Sequence, residues 1–501
     1  MNLGDLVRSG AAQNPNVTAL IYRDRAMSFA ELDSATDALA GWFIRQGLKP
    51  GDRVALQWPN EIEAVELYFG IFKAGLIAVP INLRLKAPEI AWILSDSGAS
   101  LCFSHPSLAA AVREAGFEPR TEVPRHEHKA PAVLPGIEED DPCAIIYTSG
   151  STGRPKGAVH THRSLLAVTR IIAHDIHAEF GEGADISAVI QRCLIMTPMM
   201  HVSGLYVLLC TLWLGQASVL LAVFDPGAVL DAIEQHRCSL TLTLPALMQF
   251  VLEEQLRKPR DVSSLRVIFG GGDTVPLALQ NRVREILGVE LLEGLAQTET
   301  GPIAGNPPNA PKPGSIGTLR HGVEARVVDF DYHDVPEGQV GELLVRSSGV
   351  CSGYWNNPEA SAEALKDGWW CTGDLVSRDP DGYYWFRGRR KEIIIRGGSN
   401  ISPQEVEEAL YTHPEILEAG VVGEPHSVWG ELVVAFVALR EPATADEASI
   451  REHARKHLAD YKVPERVHIL PVLPKGATGK VHRKALKDKL LGEKGTSRPK
   501  P

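Results

Sequence analysis

The sequence predicts an α/β protein: a large N-terminal domain of α/β subdomains followed by a small α+β domain at the C-terminal end. Three observations predict it. The chain has 501 residues, more than one hydrophobic core ordinarily serves, so two or more domains are expected. Short β-branched runs alternate with amphipathic helical segments along most of its length. Near Gly341 that rhythm gives way to short, closely spaced strands.

Ser28-Phe29-Ala30-Glu31 is a capping box, with Leu32, Ala35, Leu39 and Phe43 following at helical spacing and Gly47 as the stop. Strands are expected at Val54–Leu56, Val267–Phe269 and Val289–Leu292. Val202 to Phe224 carries no charged residue, but Gly215-Gln216-Ala217-Ser218 divides it. A buried helix over about 204–214 and a buried strand over 218–224 fit better than a membrane span, which needs roughly 20 unbroken apolar residues.

Beyond Gly341, strands are expected at Glu342–Val345, Tyr383–Phe386 and Ile393–Ile395. Ser402 is an N-cap, Pro403 sits at N1 and Glu405 at N3, with Ile401 and Val406 placed to form a hydrophobic staple. Ala419–Val422 and Val433–Val437 read as strands. A second capping box, Thr444 to Glu447, opens a helix with Ile450, Ala454 and Leu458 inward. The end, SRPKP, reads as a basic disordered tail.

Composition narrows the function. Hydrophobic content of 44% and charged content of 23% are those of a globular protein. A net charge of −11 argues against a nucleic-acid or polybasic membrane binder, so any anionic ligand must be met by positive groups gathered at one site. The seven cysteines are scattered, with no CxxC pair, which points away from a metal cluster or disulfide framework and toward a reducing, cytoplasmic setting. The start, MNLGDLVRSG, has no apolar signal-peptide region.

The most telling stretch is IIYTSGSTGRPKGAVHTH, Ile145 to His162. An apolar strand runs into Thr148-Ser149-Gly150-Ser151-Thr152-Gly153, with Lys156 just beyond. Glycines let successive backbone N–H groups line one concavity, hydroxyls add donors, and lysine supplies a mobile point charge. This is chemistry for holding phosphate. The Walker A spacing is absent. A solvated Gly/Ser linker is the plainer alternative.

Five further motifs, in order, set that alternative aside. They are Met196-Thr197-Pro198-Met199-Met200-His201, Gly294-Leu295-Ala296-Gln297-Thr298-Glu299 and Trp370-Cys371-Thr372-Gly373-Asp374. Gly388-Arg389-Arg390-Lys391-Glu392 then runs on to Gly397-Gly398-Ser399-Asn400-Ile401, and Pro474-Lys475-Gly476-Ala477-Thr478-Gly479-Lys480 comes last. Together with the Thr148–Lys156 loop, the set resembles the core motifs of the adenylate-forming superfamily, which includes acyl-CoA synthetases, peptide-synthetase adenylation domains and luciferases. The resemblance covers nearly the whole chain.

It implies a large domain over 1–388, a mobile lid domain over 392–490 with a hinge near 389–391 at Lys391, and a tail over 491–501. It also implies a two-step reaction using ATP, Mg2+ and coenzyme A. A carboxylate attacks the α-phosphate, and a thiol then displaces AMP. By resemblance, Thr148 to Gly153 and Lys156 hold the β- and γ-phosphates. Glu299, with Thr148, holds Mg2+, and Thr298 touches the α-phosphate. Gly271, Gly272, Asp273, Gly294, Leu295, Ala296, Gln297 and Phe386 surround the nucleotide base. Asp374 takes the ribose, Arg389 adds a second ribose or phosphate contact, and Lys480 bridges acyl and phosphate oxygens during adenylation only. Gly397 and Gly398 let the pantetheine arm approach, and His201 gates the thiol route. Leu295 and Ala296 stand where relatives usually carry an aromatic residue and glycine, so adenine packing would be apolar.

Amino-acid-activating relatives have an aspartate where this chain has His201, and no carrier domain follows Lys480. The resemblance therefore implies free coenzyme A as acceptor and an acid without an amino group. Val202, Ser203, Gly204, Gly270, Gly271 and Ile303 would line the acyl pocket. They are mostly small, which suits a bulky apolar acid: a medium- or long-chain fatty acid, or a hydroxycinnamate such as coumarate or ferulate. A homodimer is a habit of relatives. The alternatives are a nucleotide-binding regulator without turnover and a membrane protein using 202–224.

Overall fold

The structure, a computed structural model, describes residues 1–124, 133–148, 154–180, 190–440, 442–476 and 481–496. Its contacts divide the chain into two units. Met1–Val275, Gln280–Ala325 and Val345–Cys371 form the first; Pro276–Leu279, Arg326–Leu344 and Thr372 onward form the second.

Among the described residues, two sheets lie wholly within the first unit. In the larger, the strands Leu291–Gln297, Val267–Gly270, Leu240–Thr243, Arg192–Ile195, Ala217–Leu220 and Thr18–Tyr22 are neighbours in that order and run parallel. Antiparallel strands extend it at both sides: Gly301–Gly305 then Thr318–Leu319 at one, Arg25–Ser28 at the other. The second sheet runs Leu101–Ser104, Arg53–Gln57, Ile77–Pro80, Pro142–Thr148 and Lys156–Thr161, with only the last pair antiparallel. Parallel strands joined by helices are the signature of an α/β architecture.

Local rules explain the helices. Ser28 caps Phe29–Arg45 through a complete capping box with Glu31. That helix buries Leu32, Leu39, Trp42 and Phe43, and Trp42 and Phe43 meet Phe103 edge to face. The uncharged stretch folds as the helix Val202–Trp213 and the strand Ala217–Leu220. Among the described residues, no helix is long and apolar enough to cross a membrane.

The second unit is α+β. The strands Ser399–Ile401, Ile394–Arg396, Gly430–Leu439 and Ile416–His426 are antiparallel neighbours, and Arg466–Ile469 adds a parallel partner to Gly430–Leu439. The helices Pro403–Tyr411 and Glu447–His457 contribute Val406, Leu410, Ile450 and Ala454 to its core. Ser402 is the N-cap residue and Ile401 and Val406 are both buried, as expected, but the Ser402 side chain makes no cap hydrogen bond. Glu405 pairs with Lys462 instead.

The Thr444 capping box needs correcting. Asp446 caps the helix, with Ser449 completing the box. Thr444 donates from its backbone N and Oγ1 to the Glu415 carboxylate, which draws it out of the capping position. The helix Arg483–Thr496 runs into the stretch expected to be tail, because Leu486 and Leu490 are buried and anchor it. Residues 497–501 lie outside the described residues.

Candidate active site

The strand Pro142–Thr148 leads to the glycine- and hydroxyl-rich loop, and Lys156–Thr161 leads away from it. Thr148 and Lys156 are cross-strand partners, so the loop is closed at its base by a sheet. Ser149, Gly150, Ser151, Thr152 and Gly153 lie outside the described residues. Thr148 is half-buried, and its Oγ1 is 3.5 Å from the Lys156 carbonyl.

Thr298 and Glu299 occupy the short connection between the antiparallel strands Leu291–Gln297 and Gly301–Gly305. Gly301 closes that connection with φ +71°, and a Cβ there would lie 2.5 Å from Val168, so glycine is needed on both counts. The turn is tied down at three points. His160 Nε2 donates to the Thr298 carbonyl at 2.8 Å, Cys351 N donates to the Glu299 carbonyl at 2.7 Å, and Tyr354 Oη donates to Glu299 Oε1 at 2.9 Å. His160 is fully buried, and burial pushes its pKa down to about 4, so it is a neutral imidazole with its proton on Nε2. Burial, and then the charge of Glu299, push the Tyr354 phenol well above its ordinary range. The Lys156 ammonium stands over the Tyr354 ring, 5.0 Å from its centroid.

None of His160, Cys351 and Tyr354 was singled out from the sequence. The available signals were the His at an inward-facing position in Val159-His160-Thr161-His162 and the Gly353-Tyr354-Trp355 cluster.

Gly294, Leu295, Ala296 and Gln297 lie on the strand Leu291–Gln297, with a bulge between Leu295 and Ala296. Gly270 ends the strand Val267–Gly270, and Gly271, Gly272 and Asp273 follow in a bend. Asp273 is exposed and its Oδ1 accepts from Thr274 N at 3.0 Å. Ile303 is fully buried on the strand Gly301–Gly305.

His201 is the N-cap residue of Val202–Trp213 and is half-buried. The Asn82 amide lies 3.3 Å from its Nε2, and Asn82 Oδ1 is itself held by Arg84 N at 2.9 Å. Asn82 was also not anticipated. Val202 and Ser203 open the helix and are half-buried. Gly204 has a packing reason to be glycine, since a Cβ there would come within 2.4 Å of the Thr197 carbonyl oxygen.

In the second unit, Asp374 and Arg389 are cross-strand partners, and Arg389 Nε stands 3.1 Å from Asp374 Oδ1. The Asp374 side chain is almost wholly buried, whereas Arg389 is half-exposed. The Asp374 backbone N donates to Thr372 Oγ1 at 3.0 Å, and that hydroxyl donates to the Leu343 carbonyl at 2.7 Å. Phe386 is half-buried on the strand Tyr384–Arg389. Lys391 is exposed in the turn that follows, inside this unit.

Gly397 and Gly398 form the turn between the strands Ile394–Arg396 and Ser399–Ile401, and the half-exposed Trp429 packs beside Gly397. Lys480 lies outside the described residues. The chain on either side of it is held by the Lys475–Val481 bridge and by His482 N donating to the Pro474 carbonyl at 2.8 Å.

The first unit therefore brings Lys156 and the Glu299 carboxylate together on Tyr354, and the second pairs a buried acid, Asp374, with Arg389. The AMP-binding enzyme family matches residues 7–355, and the AMP-binding enzyme C-terminal domain matches 405–480. The chain belongs to the AMP-binding enzyme family.

It is 36% identical to a feruloyl-CoA synthase of an Amycolatopsis species, over 94% of this chain and 95% of that protein. It is 31% identical to a long-chain-fatty-acid–CoA ligase of Mycobacterium tuberculosis, over 97% and 98%. Among solved structures, the anthranilate CoA ligase AuaEII in complex with anthranoyl-AMP matches with TM-score 0.88 at 28% identity, over 98% of both chains. The o-succinylbenzoate CoA synthetase of Bacillus subtilis in complex with ATP and magnesium matches with TM-score 0.86 at 29% identity, over 96% and 99%.

Proposed function

We propose that this chain is an ATP-dependent acid–CoA ligase. The carboxylate oxygen of the acid attacks the α-phosphorus of ATP, the bond to the β-phosphate bridging oxygen breaks, and pyrophosphate leaves. The thiol of coenzyme A then attacks the acyl carbonyl, gives up its proton, and expels AMP to leave a thioester. The observation that carries this is the contact set around Tyr354, which brings a loop ammonium, Lys156, and a carboxylate, Glu299, onto one side chain. An ammonium suits the phosphates, and a carboxylate suits the cation that accompanies them.

The donors fit Mg2+. Glu299 and Thr148 offer hard oxygen, and Tyr354 orients the carboxylate. Bound there, Mg2+ would offset charge on the phosphate oxygens. Thr298, held by His160, would meet the α-phosphate, and Asp374 would accept hydrogen bonds from the ribose hydroxyls with Arg389 beside it. Lys480 would add positive charge where the transition state gathers negative charge, the general device of phosphoryl chemistry. Lys391 would be the hinge that exchanges Lys480 for Gly397 and Gly398 between the two steps. Gly271, Gly272, Leu295, Ala296 and Gln297 would enclose the base, and His201, braced by Asn82, would stand at the thiol route.

The acid we favour is a hydroxycinnamate. The similarity to feruloyl-CoA synthase supports it, as do the small residues Ser203, Gly270 and Gly271 among the pocket candidates. The similarity to a long-chain-fatty-acid–CoA ligase supports the fatty-acid reading. A panel of ferulate, coumarate, dodecanoate and acetate, scored for CoA-dependent AMP formation, decides between them. Ferulate or coumarate should give the highest kcat/KM. Preference for dodecanoate would favour the second reading, and no AMP with any acid would contradict both.

A further inference from the structure

Residues 351–355 lie along the strand that leaves the phosphate-type loop. Ser352 N donates to the Val159 carbonyl at 2.9 Å, Val159 N to the Gly353 carbonyl at 2.9 Å, and Trp355 N to the Gly157 carbonyl at 2.8 Å. Cys351 N reaches the Glu299 carbonyl at 2.7 Å, and Trp355 Nε1 donates to the Asp96 carbonyl at 3.0 Å. This short segment is thus fastened to the return strand of the loop and to the turn that carries Glu299. Tyr354 is the side chain that joins them: its hydroxyl donates to Glu299 Oε1 at 2.9 Å, and its ring takes the Lys156 ammonium 5.0 Å from the centroid. Trp370 backs the ring, with centroids 5.6 Å apart.

We propose that Tyr354 is a positioning residue for adenylation, its hydroxyl aiming the Glu299 carboxylate at the metal and its ring seating Lys156 for the phosphates. This rests on the nucleotide roles proposed above for those two residues.

The physical case is conformational. Lysine and glutamate each lose substantial rotamer entropy when fixed. A rigid aromatic held by backbone hydrogen bonds on both sides fixes them before the nucleotide arrives, and preorganisation of this kind is repaid in binding. The phenol occupies one of several acceptor positions on the carboxylate and leaves the others open to a metal. A cation over a ring face is held weakly, enough to orient the ammonium and too little to withhold it from a triphosphate.

The two contacts can be separated in the full-length chain. Tyr354→Phe keeps the ring and removes the donor, whereas Tyr354→Leu removes both. Mn2+ bound in the presence of ATP is counted by electron paramagnetic resonance, ATP binding is measured in EDTA, and KM for Mg·ATP is set against KM for the acid and for coenzyme A. For Tyr354→Phe, Mn2+ affinity should fall about tenfold, the loss of one charge-assisted hydrogen bond. KM for Mg·ATP should rise with it, while metal-free ATP binding and the other two KM values stay put. Tyr354→Leu should also weaken metal-free ATP binding, by about fivefold. A purely structural tyrosine would shift all the KM values together or none. Wild-type Mn2+ affinity retained in Tyr354→Phe overturns the positioning role alone. A wild-type chain that binds no Mn2+ with ATP overturns the nucleotide site itself.

Discussion

His160 Nε2 donates to the backbone carbonyl of Thr298 at 2.8 Å, across 138 positions of sequence, and so couples the strand leaving the phosphate-type loop to the turn that carries Glu299. The bond needs a proton on Nε2, and burial outweighs its pull toward the charged form: the His160 pKa is pushed down to about 4, so the ring is neutral. His162, two residues on, is buried too, with a pKa pushed down to about 4, and its Nδ1 accepts from Leu3 N at 3.2 Å.

Both imidazoles make stability depend on pH. Their pKa in the unfolded chain is about 6.5. As pH falls from about 6.5 toward 4, the unfolded chain takes up protons that the folded chain refuses, so stability drops and levels off below about 4. Each contributes up to ~3 kcal/mol of that loss. The denaturant midpoint should fall steadily between pH 7 and pH 5, and His160→Asn should show a visibly shallower fall. An identical pH slope in that variant would show that His160 titrates normally.

Asp374 should recognise the ribose. Asp374→Asn keeps the shape but removes the charge that Arg389 pairs with and that ribose hydroxyls would donate to. KM for ATP is expected to rise about tenfold to a hundredfold, the scale of one or two hydrogen bonds to a charged group. The variant should also discriminate less between ATP and 2′-deoxy-ATP. Unchanged discrimination would remove Asp374 from the ribose site.

Lys480 should matter to one half-reaction only. Lys480→Ala is expected to slow adenylation by about two to three orders of magnitude, comparable to losing one preorganised donor at a developing charge. Thioester formation from supplied acyl adenylate should continue at close to the wild-type rate. Equal loss of both half-reactions would contradict its assignment.

Gly204 tests packing against pocket. A Cβ there would approach the Thr197 and Pro198 backbone to 2.4–2.6 Å, and backbone cannot yield cheaply. Gly204→Ala should cost about 1–3 kcal/mol, the usual range for overpacking. Thermal unfolding measures this directly. A variant with wild-type stability and altered acid preference would mean the glycine serves the substrate instead.

Much of the fold is legible in local chemistry. The Ser28–Glu31 box, the division of 202–224 at Gly215 and the burial of Ile401 and Val406 are short-range features, and the structure carries all three. The Thr444 box failed because Glu415, far off in sequence, competes for the same donors. The motif residues were legible for a similar reason, since Thr148, Lys156 and Glu299 sit in recognisable strings. What holds them was not. The His160–Thr298, Asn82–His201 and Tyr354–Glu299 contacts span 55 to 138 positions, and no spacing rule reports such a contact.

Acid-dependent exchange of labelled pyrophosphate into ATP tests the proposed chemistry most directly, because it reads acyl-adenylate formation without any thiol. The exchange should require Mg2+ and a carboxylic acid, be fastest with a hydroxycinnamate, and be drawn off as thioester and AMP when coenzyme A is added. Exchange that ignores the acid, or none with any acid while ATP still binds, would contradict an acid–CoA ligase.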